Sequence, residues 1–159
     1  MTLIIFAIAD KEYGIDINQV YKVIRVNDVT TIPDSAEFVE GVINLRGRVI
    51  PIISLRKKLK MERADLNKMN RVIVVRFNNK FVGVIVDGVS EILPIQSSNI
   101  IEPDELLKET KYLIGVGRLK ERLILIIDIE RLLSIGERTD IEEVSKKLIF
   151  QNSAMCSKT

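Results

Sequence analysis

Two aspartates close apolar runs, Asp16 after Tyr13-Gly14-Ile15 and Asp87 after Val82-Gly83-Val84-Ile85-Val86. Paired carboxylates at strand ends could do general acid–base work, one protonated and one not. An internal repeat, set out below, argues against this. It aligns Asp16 with Ile85 and Asp87 with Asn18, so the two are not equivalent positions and read as strand-end or turn residues. Two glycine clusters, Gly41-Val42-Ile43-Asn44-Leu45-Arg46-Gly47 and Gly115-Val116-Gly117, raise the question of a phosphate cradle. Neither has the Gly-x-Gly-x-x-Gly spacing or a Gly-Lys-Ser/Thr ending. Close backbone approach or a bulge explains Gly41 and Gly115 as well. Cys156 has no histidine to activate it, because the chain contains none. Lack of His also removes the commonest metal ligand and a phosphohistidine relay. One Cys excludes an internal disulfide and a multi-thiolate zinc site. The residues thus present no catalytic set, and neither a metal nor a cofactor is expected.

Charge is more informative. Residues 44–63 hold seven basic groups, Arg46, Arg48, Arg56, Lys57, Lys58, Lys60 and Arg63, against the single acid Glu62. The segment reads as a solvated helix face, a protein-docking patch or a site for single-stranded nucleic acid. Small barrels are common nucleic-acid scaffolds, but no aromatic residue lies within 44–63 to stack on a base. Asn44-Leu45-Arg46-Gly47 reads as a turn between two apolar strands. Gly47 alone would satisfy such a turn, so an outward Arg46 is open to recognition or to neutral drift.

These residues must be held by something, and composition says what. Of 159 residues, 25 are Ile, 16 are Val and only 5 are Ala. β-Branched side chains fit a pleated sheet, while helices favour Ala and unbranched chains, so an all-β fold is expected. The chain also repeats. Lys11–Val20 matches Lys80–Val89 with a shift of 69, bringing Gly14 onto Gly83. Phe38–Leu55 matches Tyr112–Ile129 with a shift of 74, bringing Gly41 onto Gly115 and Arg48 onto Arg122. The change of shift places a five-residue insertion between Leu93 and Lys111, where Pro94 and Pro103 already signal loop. The repeats cover 3–68 and 71–135. Each is marginal for a core of its own, so the two are expected to bury apolar surface against one another.

Short aliphatic runs predict strands at Leu3–Ile8, Tyr13–Ile17, Val20–Val26, Arg48–Ile53, Arg71–Phe77, Phe81–Val86, Ser90–Pro94 and Leu123–Ile127. Asn78-Asn79 predicts a tight hairpin, because Asn tolerates positive φ. Four or five strands in each ~65-residue repeat is the density of a small barrel, one per repeat, and the pattern is compatible with the first strand pairing in its own barrel or crossing to the other. Short helices are expected at Ser54–Met61 and Asp128–Ile135, with Ser54 and Asp128 as N-caps, and a single turn at Ser35–Val39. A last helix is expected at Asp140–Phe150, within a 137–159 tail that frays after 150. No apolar run approaches the ~20 residues that span a bilayer, and the N-terminal stretch lacks a basic region typical of a secretory signal. The expectation is a soluble cytoplasmic protein with no membrane insertion.

Several stretches together resemble the CheW family, the coupling proteins of bacterial chemotaxis. They are Tyr13–Ile17, Pro33, Phe38–Gly47, Pro51–Arg56, Val82–Val89 and Leu123–Leu133. Gly41-Val42-Ile43-Asn44-Leu45-Arg46-Gly47 is the most specific of them. The resemblance covers about residues 3–135 in order, within a domain of 1–136. It implies two five-stranded SH3-like β-barrels packed together and no catalysis. It implies an adaptor between the cytoplasmic tip of a methyl-accepting chemoreceptor and the regulatory domain of the histidine kinase CheA. By the same resemblance, Val20, Lys22, Asn44, Leu45, Arg46 and Gly47 would bind kinase or receptor. Ile17, Ile24, Gly41, Val72, Gly83 and Val89 would serve receptor coupling, with a groove between the barrels lined by Ile17, Val20, Ile24 and Val89. Lys22 departs from members with an acidic residue there. Plain core is the alternative for the valines, and backbone geometry for Gly41 and Gly83. A small basic barrel binding single-stranded nucleic acid is the alternative function.

Overall fold

In the aliphatic runs, buried residues crowd one or both faces, and a backbone so enclosed satisfies its polar groups by pairing with neighbouring strands. A computed structural model describes residues 1–26, 29–33, 35–62, 66–104 and 110–134, and it resolves these runs into strands. They are β1 (Thr2–Ile8), β2 (Lys11–Asp16), β3 (Val20–Arg25), β4 (Val39–Leu45), β5 (Arg48–Ser54), β6 (Arg71–Phe77), β7 (Lys80–Val86), β8 (Gly88–Pro94), β9 (Ile100–Ile101), β10 (Leu113–Leu119) and β11 (Arg122–Ile127). Helices are short, α1 (Leu55–Lys58) and α2 (Ile129–Ser134). Ser54 and Asp128 cap them as expected: the Ser54 hydroxyl accepts from the Lys57 N–H at 3.3 Å, and Asp128 accepts from the Glu130 N–H at 3.1 Å. The Ser35–Val39 segment makes a turn, with the Val39 N–H donating to the Ala36 carbonyl at 2.9 Å. The predicted helix at Asp140–Phe150, the rest of the 137–159 tail, Cys156 and Arg63 lie outside the described residues.

Two sheets form. One has the order β8-β1-β2-β11-β10-β9, the other β3-β6-β7-β5-β4. This corrects the expectation of one barrel from 3–68 and a second from 71–135. The β1–β2 hairpin of the first repeat joins β8, β10 and β11 of the second. In return, the β6–β7 hairpin of the second repeat joins β3, β4 and β5 of the first. The repeat relation survives the exchange. Gly14 lies between Ile5 and Ile126, and its counterpart Gly83 lies between Val74 and Ile52. Each hairpin meets its host sheet through one parallel pairing, β2 with β11 and β7 with β5. Residue patterning sets which face of a strand is buried but not which of two similar sheets accepts it, so the sequence alone left the exchange undecided.

Three apolar clusters follow. Ile43, Ile50, Ile52, Val72, Val74 and Ile85 fill the interior of the five-stranded sheet. Leu3, Ile5, Ile95, Ile124 and Ile126 fill that of the six-stranded one. The largest joins the two sheets, with Phe6, Tyr13 and Ile15 on one side and Phe38, Ile53, Val75 and Val84 on the other, closed by Leu132 and Leu133 of α2. The two repeats therefore bury surface against each other, as their size required. No helix among the described residues is long and apolar enough to cross a membrane.

Candidate functional site

The Asn44–Gly47 stretch forms the tip of the β4–β5 hairpin. Leu45 pairs with Arg48, which leaves Arg46 and Gly47 as a two-residue loop. Both have positive φ, +52° and +81°, as the primed turns that suit strand twist require. The Asn44 side-chain oxygen accepts from the Gly47 N–H at 2.9 Å and fixes the loop. Leu45 packs back onto the interior cluster of its sheet. Arg46 is left exposed, with no ion pair or hydrogen bond among the described residues. Its backbone strain is not a functional sign. The repeat counterpart Lys120 has φ +55° in the same place, so the scaffold imposes that conformation on both tips.

Val20 and Val89 are repeat counterparts, and the structure gives them matching surroundings. Val20 starts β3 and Val89 lies in β8, and both are half-buried against the cluster that joins the sheets. They therefore flank the seam from its two sides. Ile17 lies beside Val20 in a 3-10 turn, Ile17–Gln19, where the chain passes from one sheet to the other, and is half-buried. Ile24 instead packs on the interior of the five-stranded sheet, so it does not share the seam with Val20 and Val89. Lys22 is half-buried on β3, opposite Val74.

Three predicted residues cannot touch a partner from where they sit. Val72 has no exposed surface. Gly83 is buried, and a Cβ there would come within 2.5 Å of Ile52 Cδ1. Gly41, with φ +147°, has the Thr30 carbonyl against it, and a Cβ would lie 2.1 Å from that oxygen. The backbone reading is right for Gly41 at least. Only glycine lets the segment after β3 cross β4 through the Thr30–Val42 bridge.

The basic segment is divided by β5, which spans seven residues, or about 20 Å. Arg46 and Arg48 are at one end, and Arg56, Lys57 and Lys58 at the other. Arg56 is already engaged. Its Nε donates to Asp87 Oδ1 at 2.8 Å and a second nitrogen grips Oδ2, while the Ala9 N–H donates to the same carboxylate at 2.6 Å. Burial pushes the Asp87 carboxyl up. The Arg56 and Ala9 hydrogen bonds and the Arg56 charge outweigh it and hold the group below the ordinary carboxylate range. Lys57 pairs with Glu40 at 2.9 Å, and Lys58 lies 4.7 Å from the Phe38 ring centre. Asp16 caps the 3-10 turn by accepting from the Asn18 N–H at 3.0 Å. It sits beside Leu3 while Asp87 sits beside Ala7, at opposite ends of β1, so the two do not form a carboxylate pair. The Arg56–Asp87 clamp had no signal in the sequence, since its members are 31 residues apart.

Residues 2–137 match the family model described as a CheW-like domain. The chain belongs to the CheW family. Chemotaxis protein CheW of Klebsiella aerogenes is 39% identical over 145 residues, covering 90% of this chain and 87% of that protein. Chemotaxis protein CheW of Helicobacter pylori is 35% identical over 129 residues, covering 80% and 78%. The crystal structure of the scaffolding protein TtCheW from Thermoanaerobacter tengcongensis superposes with a TM-score of 0.77 at 33% identity, covering 85% of this chain and 93% of that one. The two sheets are thus the two SH3-like β-barrels of the CheW family. As in CheW relatives, the function is that of a non-catalytic chemotaxis adaptor, and the nucleic-acid alternative finds no support.

Proposed function

We propose that the chain couples the cytoplasmic tip of a methyl-accepting chemoreceptor to the regulatory domain of the histidine kinase CheA. It acts in the cytoplasm, on receptor arrays at the membrane. The observation that carries this reading is Arg46, an exposed and unpaired guanidinium on a rigid two-residue tip. An arginine held this way presents a planar fork of donors to a carboxylate or a backbone carbonyl, which a lysine would not reproduce. Asn44, Leu45 and Gly47 supply its frame, and Val20 and Lys22 extend the same barrel's surface along β3. The receptor face is the seam between the barrels, where Val20 and Val89 offer apolar flanks to one side of a helical hairpin. Val72, Gly83 and Gly41 act on that face only through the shape of the barrel beneath it. Coupling by an adaptor needs contacts that differ between the kinase's two states, and two faces engaged at once provide them.

Calorimetry with the isolated regulatory domain tests this. Saturable binding is expected, weakened on the order of 1–4 kcal/mol by Arg46→Ala. Binding untouched by that change would move the kinase face away from the hairpin tip. No binding at micromolar concentrations would remove the coupling reading.

A further inference from the structure

The repeat relation allows the open ends of the two barrels to be compared position by position, and their chemistry is opposite. In the six-stranded sheet the end is closed by ion pairs. Arg122 donates to Glu12 at 2.8 Å and to Glu91 at 2.6 Å. In the five-stranded sheet the counterparts of Arg122, Glu12 and Glu91 are Arg48, Phe81 and Lys22. The counterparts of Ala7 and Ser90 are Arg76 and Tyr21. Both carboxylates are gone, and an arginine, a lysine and two rings have arrived.

The replacements form one cluster across four adjacent strands. Tyr21 on β3 and Phe81 on β7 are 4.5 Å apart between ring centres. Arg48 on β5 lies 4.7 Å from the Phe81 centre. Arg76 on β6 lies 5.6 Å from Phe81 and 5.9 Å from Tyr21. Arg48 and Arg76 share strand faces with Ile50 and Val74 of the barrel interior, so the cluster sits at the mouth of that barrel. Arg48 and Arg76 are exposed, and Tyr21 is 55% exposed. Among the described residues no carboxylate pairs with Lys22, Arg48 or Arg76.

We propose that this mouth, formed by Tyr21, Lys22, Arg48, Arg76 and Phe81, is a docking surface for an acidic protein segment. Charge complementarity selects the occupant. Arg48 and Arg76 over the rings, and Lys22 opposite Val74 on the adjoining strand, have no counter-charge among the described residues, where the sister barrel neutralises its own arginine. Both arginines lie over the rings and are exposed, so their N–H groups remain open to carboxylates. Tyr and Arg are also the residue types that dominate binding energy at protein interfaces. Single-stranded nucleic acid fits less well, because bases need open ring faces to stack on, and Phe81 is half-buried with Arg48 over it. The inference concerns the chemistry of a partner and stands whether or not that partner is the kinase.

An NMR titration of the full chain with a soluble peptide rich in Glu with a central Leu tests it. Chemical shifts are expected at Tyr21, Arg48, Arg76 and Phe81. The Arg48→Glu/Arg76→Glu variant should bind at least about ten-fold more weakly, and Lys120→Glu on the other barrel's tip should bind as wild type. Should the double variant lose its native spectrum, Arg48→Gln/Arg76→Gln gives the same reading. No binding, shifts spread over the whole surface, or equal loss with Lys120→Glu overturns the proposal. So does tighter binding at these residues of a poly-dT oligonucleotide or of phosphatidylserine vesicles.

Discussion

Gly41 and Gly47 are six positions apart in one hairpin, and each lacks a side chain for a different reason. At Gly41 the obstacle is the Thr30 carbonyl, 2.1 Å from where a Cβ would be. At Gly47 nothing lies within 4 Å, and only φ +81° matters. Gly41→Ala should therefore cost about 3 kcal/mol or more, since backbone must move. Gly47→Ala should cost about 1 kcal/mol, the ordinary left-handed penalty. Urea midpoints of the two variants check this, and equal losses would refute it. Asp87 is the other decisive single residue. Its folded pKa is held below the ordinary carboxylate range, so its contribution is fully present above about pH 4 and is lost as pH falls through the folded value. Asp87→Asn should destabilise by about 2 kcal/mol at pH 7, because Arg56 loses its partner and the Ala9 N–H its charged acceptor. The gap between variant and wild type should close in acid. A gap that does not narrow at any pH as the solution is acidified would show that the clamp acts by packing alone.

Hairpins and caps decide the elements. Asn78-Asn79 was readable as a tight turn because asparagine tolerates left-handed φ, and both residues adopt it, at +50° and +62°. Ala9 and Lys120 adopt the same conformation without such a signal, since the strands they join leave a two-residue gap whatever fills it. Helix α1 ends in the same way. The Lys60 N–H donates to the Lys57 carbonyl at 3.0 Å and the Met61 N–H to the Arg56 carbonyl at 2.8 Å, a Schellman ending with Lys60 at φ +59°. Glycine is the usual occupant of that position. Lys60→Gly should raise stability by about 0.5–1 kcal/mol. Thermal denaturation measures it, and a lowered midpoint would mean that the lysine makes a contact worth more than its strain. The expected helices at Ser54 and Asp128 begin where predicted because their caps are local. They are short because each merely turns the chain after a buried strand.

The reciprocal exchange of hairpins governs the whole molecule. Each barrel takes strands from both halves of the chain, so neither half carries a complete sheet. Residues 1–68 and 69–136, made separately, should each lack a cooperative unfolding transition. Mixed, they should recover the near-native spectrum of the intact chain. A folded isolated half would contradict the pairing described for β2 with β11 and β7 with β5. The exchange also bears on function. Val20 and Val89 flank the seam because β3 and β8 occupy matching places in opposite barrels. Strain introduced at the seam is shared by both barrels through one apolar cluster.

The sequence by itself determined eight of the eleven strands, the repeat, the caps, the Asn78-Asn79 turn and the family. All of these rest on composition, short-range pattern or motif, which need no knowledge of distant neighbours. It also marked Arg46 as an outward residue on a turn. Only the tertiary structure decided that the hairpins cross, that Val72 and Gly83 are interior and that Ile24 leaves the seam. It alone split the basic segment and joined Arg56 to Asp87. The mouth made by Tyr21, Arg48, Arg76 and Phe81 was likewise out of reach of pattern reading. Its members lie on four strands, and sheet order, which the repeat leaves two-fold ambiguous, is what brings them together.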